Sequence, residues 1–574
     1  MKKALLLLLS LVLVLSMAVG CSNSEPTTTT ESSQTSESKE EPKVEPQYGG
    51  TVTFAYTQPF KGVLMRAYYA GEDDDLILNF MHEGFLTTGD DLKTYPYIAE
   101  YEQSADHKVF TFKIKQGVKW HNGDELTVED WKYALEVIAH PDYDGSRYSN
   151  VEMIVGVDEY HAGTADSISG IKVIDPYTIE ITVKEAQVNT LDNLWSYPEP
   201  SKYLEGIAVK DLASHPKVRQ NPIGIGPFKV KKIQPGEFVE FERFDDYWQG
   251  KPYLDGVIYK IIDADLSNGL LENGEVDIIQ IPSSQYQEIK KLTNINLFEE
   301  AALAYSYLGF DFGRYDAEKE EVVMDNPKFQ NKQLRQAMAY ALDRQGLIDA
   351  FSNGLGTIID TPMPVVSWAK APDSELTHYD YNPEKAKQLL DEAGYKDVDG
   401  DGLREDPQGK KFTVSLLAMS GSEIAEPRAQ AILQMWKEVG LNAELNGGTL
   451  KEFNLFYDLV QNDDPTVEVF MGAWGLASDP DPSGLWRKAD SWNFPRWYTE
   501  ESDRLIKEGV GEKAFDENYR KQVYVDWQKI VNDELPMIYL WSPIDVYAAN
   551  KRVNNVDANS FTIQKDVHLW WVTQ

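Results

Sequence analysis

Val469-Phe470-Met471-Gly472-Ala473-Trp474-Gly475-Leu476-Ala477-Ser478-Asp479-Pro480-Asp481-Pro482-Ser483-Gly484-Leu485-Trp486 runs from an apolar, β-rich segment through small residues into Asp-Pro-Asp-Pro. Each proline removes a backbone donor and holds the residue before it extended. Asp479 and Asp481 are therefore predicted on a stiff loop at a strand end, flanked by Trp474 and Trp486. Fixed carboxylates beside indole rings suit capture of a cationic group, although a plain surface turn after a core strand has the same residues. The surrounding chain decides between the two.

Around this stretch strands and helices alternate. Tyr305 to Phe310 reads as a strand, and residues 331–351 as one amphipathic helix with Leu334, Met338, Ala341 and Leu342 inward. Asn382-Pro383 opens a helix ending at Gly394. Phe412 to Met419 is a strand, Pro427 to Val439 a helix closed by Gly440, and Val467 to Trp474 a strand. This is an α/β pattern, for which parallel strands are expected. Toward the N-terminus, Gly49 to Tyr56 alternates as a first strand and Asp75 to Leu86 reads as a helix. Val109 to Lys115 is a strand, and Thr127-Val128-Glu129-Asp130 has the form of a capping box. There is no internal repeat.

A chain of 574 residues exceeds one hydrophobic core, so two or three domains are expected. With 55 Lys plus Arg against 93 Asp plus Glu, the net charge of -38 excludes a nucleic-acid partner, which needs a clustered basic surface. Lys2 and Lys3 followed by an apolar run from Ala4 to Val19 have the layout of a secretory signal. Ala18-Val19-Gly20-Cys21 resembles a lipobox, which makes residues 1–20 a lipoprotein signal peptide and Cys21 the lipidated N-terminus. As the only cysteine, Cys21 leaves none for an intrachain disulfide. Residues 21–47, rich in Ser, Thr, Glu and Pro, read as a disordered tether. An anchor, a tether and an acidic globular body describe a protein on the outer face of a cell membrane, of Gram-positive type.

Five segments in order resemble one family. They are Phe112-Lys113-Ile114-Lys115-Gln116-Gly117-Val118-Lys119-Trp120-His121-Asn122-Gly123-Asp124 with Leu126 to Asp130; Pro222 to Phe228; Gly274-Glu275-Val276-Asp277; Leu334 to Arg344; and the loop from Trp474 to Pro482. Together they resemble the oligopeptide- and dipeptide-binding solute-binding proteins of bacterial ABC transporters, over nearly all of the mature chain. The resemblance implies a two-lobed, periplasmic-binding-protein-like α/β fold (type II) with an additional domain. Lobe I would combine residues 48–74, 216–300 and 541–574, the extra domain 75–215, and lobe II 301–540. It implies a monomer that closes on oligopeptides and delivers them to an ABC permease, without enzymatic activity.

Binding a peptide without regard to sequence means pairing with its backbone as an added strand. Tyr305-Ser306-Tyr307 and Gly472-Ala473-Trp474 are the expected strand segments, and Trp474 and Tyr56 are expected to line side-chain pockets. The resemblance implies an Asp shortly after the tryptophan that holds the peptide ammonium. Here the third position after Trp474 is Ala477, so the candidates are Asp479 and Asp481. Asp397-Val398-Asp399-Gly400-Asp401-Gly402 matches the first half of a calcium loop. Its twelfth position is Gln408 rather than Glu, so Asp397, Asp399 and Asp401 with Glu405 are candidates for a structural calcium ion, not a full EF-hand. No cofactor is required. The eight histidines show no metal spacing, and there is no GxSxG or P-loop. The rival readings are an oligosaccharide or nickel-chelate binding protein, a peptide-sensing receptor, and a secreted glycoside hydrolase.

Overall fold

The computed structural model describes residues 45–69 and 71–573. The segments read as a signal peptide and tether, with Cys21, lie outside the described residues up to residue 44. Among those described, no helix is long and apolar enough to cross a membrane.

A mixed 12-stranded sheet runs through the two-lobed body. Its lobe II side is built from Asn442–Leu445, Thr413–Leu417, Val469–Gly475 and Ala304–Phe310. Met537–Asn550 follows, and then Ile278–Gln280, Thr51–Tyr56, Gly256–Ile261, Phe238–Arg243 and Phe228–Gln234 complete lobe I. Met537–Asn550 belongs to both lobes: Met537 to Trp541 pair with Ala304–Phe310, and Ile544 to Asn550 pair with Ile295–Ala301. The chain thus passes between lobes at two adjacent points. They are tied together where the Ala302 N–H donates to the Pro543 carbonyl (2.9 Å) and the Ser542 hydroxyl to the Ala304 carbonyl (3.0 Å).

Separate cores fill the parts. One spans Tyr305 to Trp541, a second Met65 to Ile225, and two smaller ones flank the lobe I strands. Ile77, Leu78, Phe80 and Met81 pack in a lobe I core although they fall in the segment 75–215, while Val218 and Ile225 join the second core. The helix expected over Asp75 to Leu86 is Glu72–Met81, and Leu86–Thr88 is a strand. The single helix expected over 331–351 is two, Lys332–Tyr340 and Arg344–Phe351. The break has a local cause: the Asp343 carboxylate accepts the Gly346 N–H (2.8 Å) and caps the second helix. Parallel pairing joins Thr413–Leu417 to both its neighbours, but Ala304–Phe310 runs antiparallel to both of its own.

The other landmarks of the sequence are joints. His121 accepts the Gly224 N–H at Nδ1 (3.0 Å) and meets the Gly226 carbonyl at Nε2 (3.0 Å), which fixes a neutral ring protonated at Nε2. Burial lowers its pKa to about 4. Gly224 is required because a Cβ there would lie 1.8 Å from the Met81 carbonyl oxygen. Asp277, at the end of the Gly-Glu-Val-Asp turn, is buried and receives two bonds of 2.6 Å from Arg552.

Candidate functional site

The Val469–Gly475 strand ends beside the point where the chain crosses between lobes. Leu303 and the turn from Gly475 to Leu485 line a cavity of about 160 Å³, together with Tyr305, Pro362, Trp486 and Trp527.

Which backbone groups of this strand are free follows from its register. Ala304 lies opposite Gly475. The Leu476 N–H donates to the Leu303 carbonyl (2.7 Å) and the Asp311 N–H to the Glu468 carbonyl (2.9 Å), so bonded pairs occur at even-numbered positions of this strand. Bonded pairs recur every second residue in an antiparallel ladder. Gly472 and Trp474 therefore turn their peptide groups toward Ala304–Phe310, and Ala473 and Gly475 turn theirs away. On that far side Thr413–Leu417 pairs only with Val469 and Phe470. It then diverges, because the Ala418 carbonyl accepts the Lys451 N–H and the Lys451 carbonyl accepts the Ser420 N–H. Ala473 and Gly475, both exposed, are left on an edge that no described strand covers.

The expected site residues divide on this geometry. Tyr305 and Tyr307 are not an edge: their strand is paired on both sides and their side chains are 0% and 2% exposed. Gly472 is buried with its peptide groups engaged. Ala473 faces the open edge. Trp474 is half-buried and stacks on Phe494 at 5.3 Å between centroids. Tyr56 sits on lobe I, where its hydroxyl donates to Glu72 (3.1 Å), and burial with Glu72 raises its pKa.

Asp479 has a partner within the protein. Its carboxylate accepts a bond from Arg520 at 2.7 Å, and both side chains are 7% exposed. Burial works to lower the Arg520 pKa, but Asp479 raises it on balance. Asp479 also accepts its own loop's Asp481 N–H (3.0 Å), which fixes the Asp-Pro-Asp turn. Asp481 accepts the Ser483 N–H and hydroxyl (3.0 and 2.7 Å) and the Asn189 amide (3.1 Å). Its pKa is raised chiefly by burial, with Asp479 adding to the effect. The bonds to Asp479 all fall on its Oδ1, and both acids line the cavity, so their carboxylates are held in fixed orientations at its wall. Asn189, with Asp192 nearby, comes from the extra domain; burial and the Asp479 charge push the Asp192 carboxyl up to about 6. The Val188 N–H also donates to the Val510 carbonyl (3.2 Å), so the chain around Val188 is tied to that around Val510 here. Arg520 and Asn189 escaped the sequence reading because they lie far along the chain from Asp479 and carry no local motif.

In the acidic loop, Asp397, Asp399 and Glu405 bring carboxylate oxygens within 4.8 Å of one another. Asp401 stands outside this group, bonded to Lys411 at 3.2 Å. Asp397 accepts the Gly400 and Gly402 N–H groups, and Glu405 that of Val398 (2.7, 3.0 and 2.8 Å). An all-oxygen donor set fits a hard cation such as calcium.

Residues 93–495 match the family model described as bacterial extracellular solute-binding proteins, family 5 Middle. Oligopeptide-binding protein AppA of Bacillus subtilis (strain 168) is 29% identical over 551 residues, covering 94% of this chain and 95% of that protein. The structure of AppA in complex with a nonapeptide superposes with a TM-score of 0.71 at 25% identity, covering 92% of this chain and 100% of that one. Lactococcal OppA, complexed with an endogenous peptide in the closed conformation, gives 0.75 at 27% identity, covering 90% and 99%. The chain belongs to the bacterial extracellular solute-binding proteins of family 5.

Proposed function

We propose that this protein is a lipid-anchored oligopeptide receptor on the outer face of the cell membrane, which delivers peptides to an ABC importer. The observation that carries the reading is the uncovered edge at Ala473 and Gly475. A strand that ends beside the hinge with unpaired donors and acceptors is a template for an extended peptide. The relatives point the same way, since AppA is named for oligopeptide binding and its solved complex holds a nonapeptide.

In this mechanism the peptide lies along Ala473–Gly475 as an added strand, and lobe I closes over it by bending at Ala302–Leu303 and Ser542–Pro543. Affinity comes from backbone bonds, with waters filling side-chain pockets. Asp479 and Asp481 act as positioning residues: by engaging Arg520, Asn189 and Ser483 they hold the turn that keeps the strand end open. The ligand amine then has no dedicated carboxylate in this loop, an arrangement suited to longer peptides. Cys21 carries the lipid and the 21–47 segment gives the monomeric body reach to the permease. Asp397, Asp399 and Glu405 are the residues that would hold a structural calcium ion, which would pin the acidic turn.

Native mass spectrometry of the purified mature protein tests the function. Co-purified peptides of several residues are the expected adducts. Sugar or metal adducts alone would overturn the reading in favour of another solute.

A further inference from the structure

A line of aromatic rings runs across lobe II from the open strand edge. Trp474 stacks on Phe494 (5.3 Å, 29° between planes) and lies 5.9 Å from Trp492, which is itself 5.8 Å from Phe494. Phe494 meets Tyr457 at 6.2 Å, and Tyr457 meets Phe453 at 4.8 Å. Phe494 is buried and acts as the pivot. The two ends are open: Trp492 is 51% exposed and Phe453 57%.

Exposure of this kind does nothing for folding. At one end the exposed Trp492 lies against the half-buried Trp474 at the strand edge, and adjacent large rings left open to water there mark a contact surface. Nor is the patch a loose loop that drifts into the open. Asn493, fully buried between Trp492 and Phe494, donates from its amide to the Trp497 carbonyl (2.7 Å), and the Phe494 N–H donates to the Trp492 carbonyl (2.8 Å). Arg496 clamps the Ser491 carbonyl at 2.7 Å. At the other end, Phe453 opens the Phe453–Gln461 helix, whose buried residues are Phe456 and Val460, and Glu452 caps that helix through the Asn454 N–H (3.0 Å). The rings are held before any ligand arrives, which lowers the entropy lost on binding.

Strand geometry then says what they face. A residue paired directly opposite another projects to the same side of the sheet, with Cβ atoms about 5 Å apart. A peptide added along Ala473–Gly475 therefore sets the side chain opposite Trp474 beside its indole, and the only further neighbours in the line are rings.

Resting on the peptide-receptor reading above, we propose that Trp474 and Trp492, backed by Phe494, form a specificity-determining subsite of this receptor. It selects peptides carrying an aromatic or large aliphatic residue at the position opposite Trp474. Backbone pairing admits many peptides, and this shelf ranks them.

The test is calorimetric titration of the full mature protein with an (Ala-Gly-Ser)3 nonapeptide and with the nine variants of it that each carry one Phe. One position of the scan is expected to bind about tenfold tighter than the parent, the scale of an aromatic contact within a backbone-bound strand. In Trp492→Ala that enhancement falls to below about threefold, whereas Phe453→Ala, whose ring lies beyond Tyr457 and the buried Phe494, retains it. Phe561→Ala, which removes an exposed ring outside the line, retains it. Parent and scan peptides binding with no favoured position, or an enhancement that survives Trp492→Ala, overturns the subsite while leaving the receptor reading intact. Binding of none of the ten peptides overturns both.

Discussion

Replacing Asp479 by Asn separates a structural carboxylate from a ligand anchor. The substitution keeps the shape and an oxygen that can accept the Arg520 bond, but removes the charge. Arg520, 7% exposed, then loses its directly bonded carboxylate and keeps the Gly509 carbonyl (2.8 Å) and the Tyr524 hydroxyl (3.3 Å), with the Asp481 and Asp192 carboxyl groups still near enough to feel its charge. Breaking a buried pair by removing one partner costs about 3–5 kcal/mol. Because the amide preserves a hydrogen bond, Asp479→Asn is expected at the lower end, about 3 kcal/mol, read as a shift in the urea midpoint of tryptophan fluorescence. Arg520→Met alone strands the carboxylate and costs a similar amount. The double variant is expected to be less destabilised than the two singles together, by about 1–3 kcal/mol, since neither charge is then left alone. Binding is the second readout. Titrating one peptide with a free and with an acetylated amine gives a ratio of affinities, which is expected to agree within about twofold in the wild type and in Asp479→Asn. A wild-type preference for the free amine of about tenfold or more that disappears in Asp479→Asn would refute the reasoning and restore Asp479 as the ammonium anchor.

Three other outcomes follow from the same geometry. Ala473→Pro removes an N–H aimed at the open edge without removing a bond to Ala304–Phe310, so peptide affinity should fall about tenfold, the cost of leaving a ligand carbonyl unpaired in the cleft; unchanged affinity by calorimetry would place the peptide elsewhere. Glu199, 1% exposed, has its carboxyl pushed from the usual 4.5 up to about 8, chiefly by burial. The folded state keeps this proton where the unfolded chain has lost it, so stability should decline as pH rises from about 4.5 to about 8, by at most roughly 5 kcal/mol. Glu199→Gln should remove that slope in urea midpoints measured across the window. Calcium at a hundredfold excess over its dissociation constant should stabilise the body by about 2.7 kcal/mol if Asp397, Asp399 and Glu405 hold it; an unfolding midpoint unmoved between chelator and calcium would show that the turn binds no ion.

The elements most legible in the sequence are those whose cause is local. The capping box at Thr127 is such a case, with the Thr127 N–H bonded to Asp130 at 3.0 Å and Val128, Trp131, Leu135 and Ile138 all buried below it. The strand ending at Gly475 is another, because its apolar run and the prolines beyond it act within a few residues. The 331–351 helix fails for an equally local reason that periodicity ignores: Asp343 offers its carboxylate to the backbone and ends one helix by starting the next. What sequence order cannot convey is which distant group a carboxylate meets. Asp479 reads as an open anion from its neighbours, and only the fold brings Arg520 and Asn189 to it.

That pairing also gives the two carboxylates of this loop a role within the fold. An Asp-Pro-Asp-Pro turn stiffened by its prolines still needs its acids neutralised if it is to pack against Trp486 and Trp527 around the 160 Å³ cavity. Arg520 supplies charge to the first, and the second is satisfied by the Ser483 and Asn189 donors. The result is a rigid end to the Val469–Gly475 strand, with its last outward peptide groups at Ala473 and Gly475 neither covered by a neighbour nor able to fold back on the turn. An uncovered edge is a hazard for a soluble protein. On the function proposed above, a short edge set beside the crossing between lobes would be covered by lobe closure and satisfied by the backbone of an extended peptide.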